Sequence, residues 1–493
     1  MNLNPLLEPD WLKAIRPETM LVVGGLLLIL LEAFFKETLR RFLAPLAAMI
    51  LAATAWVVVN MYPWVADAPR VFFGGTYQIS VATIIFDLTF LLATLLVIMF
   101  SRDYLQRENI DCGEYYALML WGTFGMMMMA KGLELLIVVL GLETLSICIF
   151  VLVGFNRRVA LSNEASLKYF LMGAFATGFV LYGIALFYGA TGSTNIPQLL
   201  VYFSTNQHAG PLLTIAFILI MGGLGFKLAL APFHGWAPDV YQGAPTPVAG
   251  WISTAPKAAT LVVLLRFFAA TSPAVEQPKW MAVAAVLAVL SMVLGNFVAI
   301  AQRDLKRMLA YSGIAHVGYM MLAVRTVRED AVAAIALYAV TYALMNIGAF
   351  GVISLLQKNQ NDPQTLDDIA GMGFRYPFAG LALTVFMLSL SGIPPTAGFI
   401  SKFYVFKVVI DAGDIGLALV GIFTSIVSVY YYLRVVYYLY MKEADELTPV
   451  PARGAFATGA LVLAIVGIFV VGIWPMPVFD LFPLAANAIF LGH

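Results

Sequence analysis

Residues 132–155 read GLELLIVVLGLETLSICIFVLVGF, an apolar run whose charged side chains are Glu134 beside its start and Glu143 inside it. A bilayer's hydrocarbon core is crossed by roughly 20 residues of helix. Hydrocarbon offers no water to unpaired backbone groups, so a run this long and this uniformly apolar must close its hydrogen bonds within itself, as a helix. It is too long and too even for a tilted barrel strand. Glu143 lies about eleven residues into the run, near mid-depth, where an ionisable group costs ~2.5–3.5 kcal/mol on insertion scales.

Runs of the same kind recur along all 493 residues, at 17–35, 42–62, 81–100, 113–130, 165–190, 210–231, 247–271, 280–301, 309–324, 331–356, 377–410, 416–440 and 454–474. The expectation is an all-α polytopic membrane protein of about fourteen transmembrane helices. Composition agrees, since 61% of residues are hydrophobic and 11% charged, against about 25% charged in soluble domains. The formal net charge is zero, which removes nucleic acid as a partner, because that surface wants a clustered basic excess. The lipid bilayer is the implied surrounding.

Lys and Arg assigned to alternating loops fall about 14 on the side of the first loop (Lys36, Arg40, Arg41) and about 7 on the other, which points both termini away from the cytoplasm. Glu8, Asp10, Lys13 and Arg16 precede the first run and no small-residue cleavage site follows it, so it reads as a retained span. The polar connections 63–80, 191–209 and 357–376 are too short to build a soluble core; the last, QKNQNDPQTLDDIAGMGFRY, reads as a solvated loop or short surface helix. Cys112 and Cys148 are too few for an iron–sulfur cluster or a disulfide framework. There is no GxGxxG, no P-loop and no set of paired membrane histidines, so no cofactor or metal is expected in this chain.

Two runs exceed what a bilayer requires and are broken by proline and glycine: 222–248, GGLGFKLALAPFHGWAPDVYQGAPTPV, and 390–406, LSGIPPTAGFISKFYVF. Each holds a lysine close to its break, Lys227 and Lys402. Corresponding interruptions in two halves are the pattern of repeated units with discontinuous helices around midplane sites. With Lys257 in STAPKAAT, one acid and three lysines lie at depth, where they form either static pairs that lock helices together or a proton relay. A lysine sheds its proton when desolvated and regains it when a carboxylate comes close. At ~4 Å and an effective dielectric of ~20 such a pair is worth about 4 kcal/mol. Moving one charge against ~150–200 mV costs ~3.5–4.6 kcal/mol, so making and breaking one pair is of the right size to load and eject a proton.

Secondary relay candidates are His234, after Pro232, His316 in YSGIAHVGYM, and Lys168, one turn after Glu164. For the histidines the alternative is a hydrogen-bonded packing role, and for Lys168 a surface pair. Asp87 is shallow and ambiguous; Arg266, Lys407 and Arg434 read as interfacial anchors, Lys131 and Glu134 as flanks of a short turn, and Met126–Met129 as packing filler.

GLGFKLALAPFHGWAPDVYQGAPTPV, RDLKRMLAYSGIAHVGYM and LSGIPPTAGFISKFYVF resemble the antiporter-like proton-pumping subunits of respiratory complex I over nearly the whole chain. N-type subunits match better than the M-type, which carry a glutamate where this chain has Lys402, or the L-type, which have a long extra C-terminal helix. The resemblance implies fourteen helices with two inverted five-helix repeats, discontinuous helices 7 and 12, and domains at 1–112, 113–272, 273–442 and 443–493. It implies that Glu143, Lys227, Lys257 and Lys402 carry protons across a bacterial inner membrane. NADH, FMN, iron–sulfur clusters and quinone would then belong to the assembled complex, and the partners would be the M-type antiporter-like subunit and small membrane subunits. Two other readings stay open at this level: a subunit of a multi-subunit cation/proton antiporter, and a non-pumping structural subunit.

Overall fold

The computed structural model describes residues 10–206, 210–274, 277–357, 364–443 and 454–475. The tail 476–493, positions 358–363 of the polar connection and Glu8 lie outside the described residues, as does the side chain of Lys36.

The described chain is almost entirely helical, and its large exposed side chains are apolar: Phe175, Phe179, Leu419, Phe423 and Ile426 all face outward. Lys131, Lys227, Lys257, Arg266, Lys306 and Lys402 are buried. That inversion of the soluble pattern is what a lipid surround requires. Among the described residues eleven helices are long and apolar enough to cross a membrane, or twelve if the pair Asp367–Arg375 and Pro377–Ser391, bent by 117°, counts as one span. The expected fourteen is not reached on this measure. Gly113–Lys131 and Leu305–Val324 are continuous helices, but Glu114 and Lys131 in the first, and Lys306, Arg307, Ser312 and His316 in the second, dilute their hydropathy. The run 377–410 divides at 392–396 into Pro377–Ser391 and Ala397–Asp411.

The first two spans share one 44-residue helix, Arg16–Val59, with non-helical backbone at Phe35 beside the polar KETLRR stretch. Gly113–Lys131 packs between it and Leu135–Val153. Gly125 and Gly141 make the second of these contacts close: a Cβ on either would lie 2.6–2.7 Å from the other's carbonyl oxygen, the small-residue packing that substitutes for a hydrophobic drive inside lipid. The connection at 63–80, expected as a loop, contains an antiparallel hairpin, Arg70–Phe72 with Tyr77–Ile79. Its turn uses positive φ at Phe73, Gly74 and Gly75.

Both predicted interruptions are present. Gly210–Leu228 stops after Lys227, and the chain resumes in Trp236–Gly243, Thr246–Ile252 and Ala255–Ala270. Ala229 takes a left-handed φ of 58° at this stop, and the Ala231 amide, left without a helical acceptor, donates to Ser291 Oγ at 2.8 Å. A third break separates Thr246–Ile252 from Ala255–Ala270, just ahead of Lys257. Facing it, the helix Glu329–Tyr342 passes into a π turn at Ala343–Ile347, and Asn346 Nδ2 donates to Ser253 Oγ at 2.6 Å. Extra-residue turns of this kind re-aim side chains inside otherwise regular helices.

Candidate functional site

Glu143 sits on Leu135–Val153, and its Oε1 accepts from Thr177 Oγ1 at 2.6 Å. Lys227 closes Gly210–Leu228, with its Nζ 2.7 Å from Ser146 Oγ, one turn beyond Glu143 on the same helix. The Glu143 carboxylate is not within 4.0 Å of that ammonium, so the pair stands open and Ser146 holds the lysine in its place. Phe150 lies 5.3 Å from the ammonium, and Tyr169 and Phe226 lie 6.0 Å from it, giving the charge aromatic faces as a second support. Trp236, stacked on Tyr169 at 4.4 Å, donates to the Phe226 carbonyl and so closes the box from beyond the break.

Lys257 Nζ donates to the Gly313 carbonyl at 3.3 Å. A Cβ at Gly313 would meet Tyr342 Oη at 2.9 Å and Lys257 Nζ at 3.2 Å, so the glycine admits both groups to one spot. Tyr342 Oη is buried without a partner and its ring lies 4.9 Å from that of His316. His316 is fully engaged: Nδ1 with Tyr338 Oη at 2.7 Å, Nε2 with Tyr432 Oη at 3.0 Å. Tyr432 also meets Ser312 and lies against Tyr431, ring centroids 4.4 Å apart. Tyr431 Oη donates to Asn296 Oδ1 at 3.0 Å, and Asn296 Nδ2 donates to Tyr319 Oη at 2.8 Å.

Tyr319 places its ring 5.6 Å from Lys402 Nζ. Lys402 Nζ donates to Ser425 Oγ at 3.0 Å and to the carbonyls of Leu390 and Ser391 at 2.9 and 3.1 Å. Those carbonyls end Pro377–Ser391, where the helix dipole is negative and the backbone lacks donors. No carboxylate among the described residues pairs with Lys257 or Lys402; a carbonyl inside the continuous helix Leu305–Val324 holds the first ammonium, and the oxygens of a broken helix's end with the Ser425 hydroxyl hold the second. Beside Lys402 lies a cavity of about 540 Å³, lined by Ser391, Gly392, Phe399, Phe403, Phe406 and Ser425 among others.

The remaining sequence candidates fall elsewhere. His234 is half-buried in the break with its Nδ1 unpartnered and its ring centroid 6.4 Å from that of Tyr311. Lys168 is 45% exposed and pairs with Glu164 at 2.6 Å and Asp239 at 3.2 Å, in a surface group completed by Arg307. Arg266 is no interfacial anchor: it is buried and donates to the Gly132 carbonyl and to Gln78 Oε1. Lys306 is likewise buried and donates to the Ala244 carbonyl. Lys131 is not a turn flank but the centre of a buried ion cluster with Glu18 and Asp87, both at 2.5 Å. Ser146, Asn296 and the four tyrosines around His316 escaped the sequence reading, because neutral residues in apolar runs carry no cost that would single them out. Cys112 and Cys148 are free thiols.

A family model described as "NADH:quinone oxidoreductase/Mrp antiporter, TM" matches residues 132–428, which hold all of Glu143, Lys227, Lys257, His316 and Lys402. Subunit N of the NADH-quinone oxidoreductase of Trichlorobacter lovleyi is 41% identical over 96% of this chain and 97% of its own length. A chain of respiratory complex I from Thermus thermophilus, solved with bound aureothin, superposes with a TM-score of 0.80 at 36% identity, covering 95% of this chain and 99% of that one. A chain of the Mrp complex from Dietzia sp. DQ12-45-1b has a TM-score of 0.85 at 20% identity over 97% and 98%, a likeness of fold alone.

Proposed function

Because this chain belongs to the NADH:quinone oxidoreductase/Mrp antiporter family, among the N-type subunits of NADH-quinone oxidoreductase, we propose that Glu143, Lys227, Lys257 and Lys402 form its proton relay. The chain is a multi-pass membrane subunit of that oxidoreductase and an antiporter-like proton pump. Redox energy arrives from partner subunits as conformational and electrostatic change. The carriers NADH, FMN, iron–sulfur clusters and quinone act in those partners, and an M-type antiporter-like subunit with small membrane subunits flanks this one. Both termini face the periplasm, and 113–272 and 273–442 act as inverted halves, each with its own broken helix.

One observation carries the relay. Between Lys257 and Lys402 the interior is lined by side chains that both donate and accept, Tyr342, His316, Tyr432, Tyr431, Asn296 and Tyr319, in successive ring or hydrogen-bond contact, and Tyr319 and Ser425 each meet Lys402. In the cycle Glu143 stabilises protonated Lys227 when the pair closes, Lys257 and His316 pass the proton centrally, and Lys402 exchanges it with the far side or the neighbouring subunit. Each lysine is provided with an oxygen acceptor for its charged form and an apolar or aromatic wall against its solvation. That balance keeps both protonation states within reach.

The antiporter reading is less well supported, since the relatives at 36–41% identity are complex I proteins and the Mrp likeness concerns fold. Replacing Lys227 or Glu143 by alanine is expected to lower proton pumping and coupled quinone reduction in a complex that still assembles. Full pumping in both variants would reject the relay, and ion transport driven by sodium without NADH would favour the antiporter.

A further inference from the structure

The four relay residues lie within 132–428, yet the most concentrated group of buried charge lies mostly outside that span. Lys131 Nζ is 2.5 Å from both Glu18 Oε1 and Asp87 Oδ2, and all three side chains are at least nine-tenths buried. Tyr77 donates to the same Glu18 oxygen at 2.7 Å and its ring lies 5.9 Å from the ammonium. Arg266 stands at one remove, its guanidinium held by the Gly132 carbonyl and Gln78. Five elements meet here: the starts of Arg16–Val59 and Val81–Arg107, the end of Gly113–Lys131, the strand Tyr77–Ile79, and the end of Ala255–Ala270.

Glu18 Oε2 and Asp87 Oδ1 are buried and have no hydrogen-bond partner. A static lock would satisfy them, because a buried carboxylate oxygen without a donor is costly. A proton on either oxygen converts an unsatisfied acceptor into a donor. The charges also balance twice: with one acid protonated, the carboxylate of the other compensates Lys131 within the contact group, and with both acids ionised Arg266 supplies the second positive charge. Two compensated charge states differing by one proton are what a group that loads and unloads a proton needs. A metal cation has no room, since the ammonium already occupies the position between the carboxylates.

We propose that Glu18, Asp87 and Lys131 form a proton-holding site of this pump, separate from the central relay. It lies against the hairpin through Tyr77, which is three residues from exposed Gly74, on the face that the cation count points away from the cytoplasm. There it receives protons leaving the membrane interior and hands them to the water above the hairpin. This rests on the pumping role already proposed, and the test separates the two.

The test uses assembled complex in membrane vesicles, with protons moved per NADH oxidised read from a pH-sensitive dye and infrared difference spectra recorded in H₂O and D₂O. Asp87→Asn is expected to lower the proton-to-electron ratio and, with Glu18→Gln, to remove a protonated-carboxyl band present in the unaltered complex. An unchanged ratio in Asp87→Asn beside a lowered ratio in Lys227→Ala would overturn this site and leave the relay standing. An unchanged ratio in both would overturn the pumping role itself. Failure of Asp87→Asn to assemble moves the decision to Glu18→Gln by the same measures, and failure of both to assemble would show a structural lock and overturn the site.

Discussion

Ser146→Ala removes the hydroxyl that holds the Lys227 ammonium at 2.7 Å without touching either charged member of the relay. A hydrogen bond to a charged group contributes about 1.5–3 kcal/mol, which corresponds to a change of roughly ten- to 150-fold in the population of the charged lysine. The Glu143 carboxylate, more than 4.0 Å away, attracts the ammonium equally in both variants and so does not make up the difference; strengthening that attraction requires helix movement. Coupled NADH–quinone turnover and dye-reported proton uptake in vesicles should therefore fall about tenfold in Ser146→Ala. Ser146→Thr keeps the hydroxyl and should retain most of the activity. The Ser146 hydroxyl also donates to the Leu142 carbonyl, a bond threonine can make in the same helix. Unchanged coupled turnover in the alanine variant, with assembly verified on a native gel, would refute the view that this hydroxyl stabilises the loaded state.

Lys402→Met keeps the length of the side chain but leaves the Leu390 and Ser391 carbonyls without their donor; pumping should be lost while the complex assembles, and a normal proton-to-electron ratio would contradict this. Gly313→Ala puts a methyl 2.9 Å from Tyr342 Oη and 3.2 Å from Lys257 Nζ, and a several-fold loss of coupled turnover is expected in the same assay. Tyr432→Phe removes the partner of His316 Nε2, and should lower proton transfer without lowering the yield of assembled complex. Lys168→Ala should leave coupled turnover within about twofold, because exposed pairs contribute little; a loss as deep as that of Lys227→Ala would return Lys168 to the relay.

The long helices and their two interruptions were legible from the run lengths and from the prolines at 232, 394 and 395, because a bilayer punishes unpaired backbone at every position. Glu143, Lys227, Lys257 and Lys402 stood out for the same reason, as charges deep in apolar runs. What supports them did not. Lys227 reaches Ser146 across 81 residues and Lys402 takes its partners from a helix end, geometries that no local spacing encodes. Lys131 was misjudged because it adjoins Gly132 and so resembles an ordinary turn flank, while its acids arrive from helices 113 and 44 residues earlier in the chain. A signal existed: Glu18 and Asp87 lie in apolar runs with no basic residue three or four positions away, so their compensation had to be distant. The hairpin at Arg70–Ile79 was hidden by its brevity, though Gly74-Gly75 marks its turn.

The contacts of Arg266 have a mechanical side. It grips the Gly132 carbonyl and Gln78 from the far end of the same helix, Ala255–Ala270, that carries Lys257 near its beginning. An α-helix is stiff over this length, about 13 Å from one residue to the other at 1.5 Å per residue. A push on the hairpin that holds Gln78 would thus move a rod whose opposite tip is the central amine, and a displacement of a few tenths of an ångström suffices to break its 3.3 Å contact with Gly313.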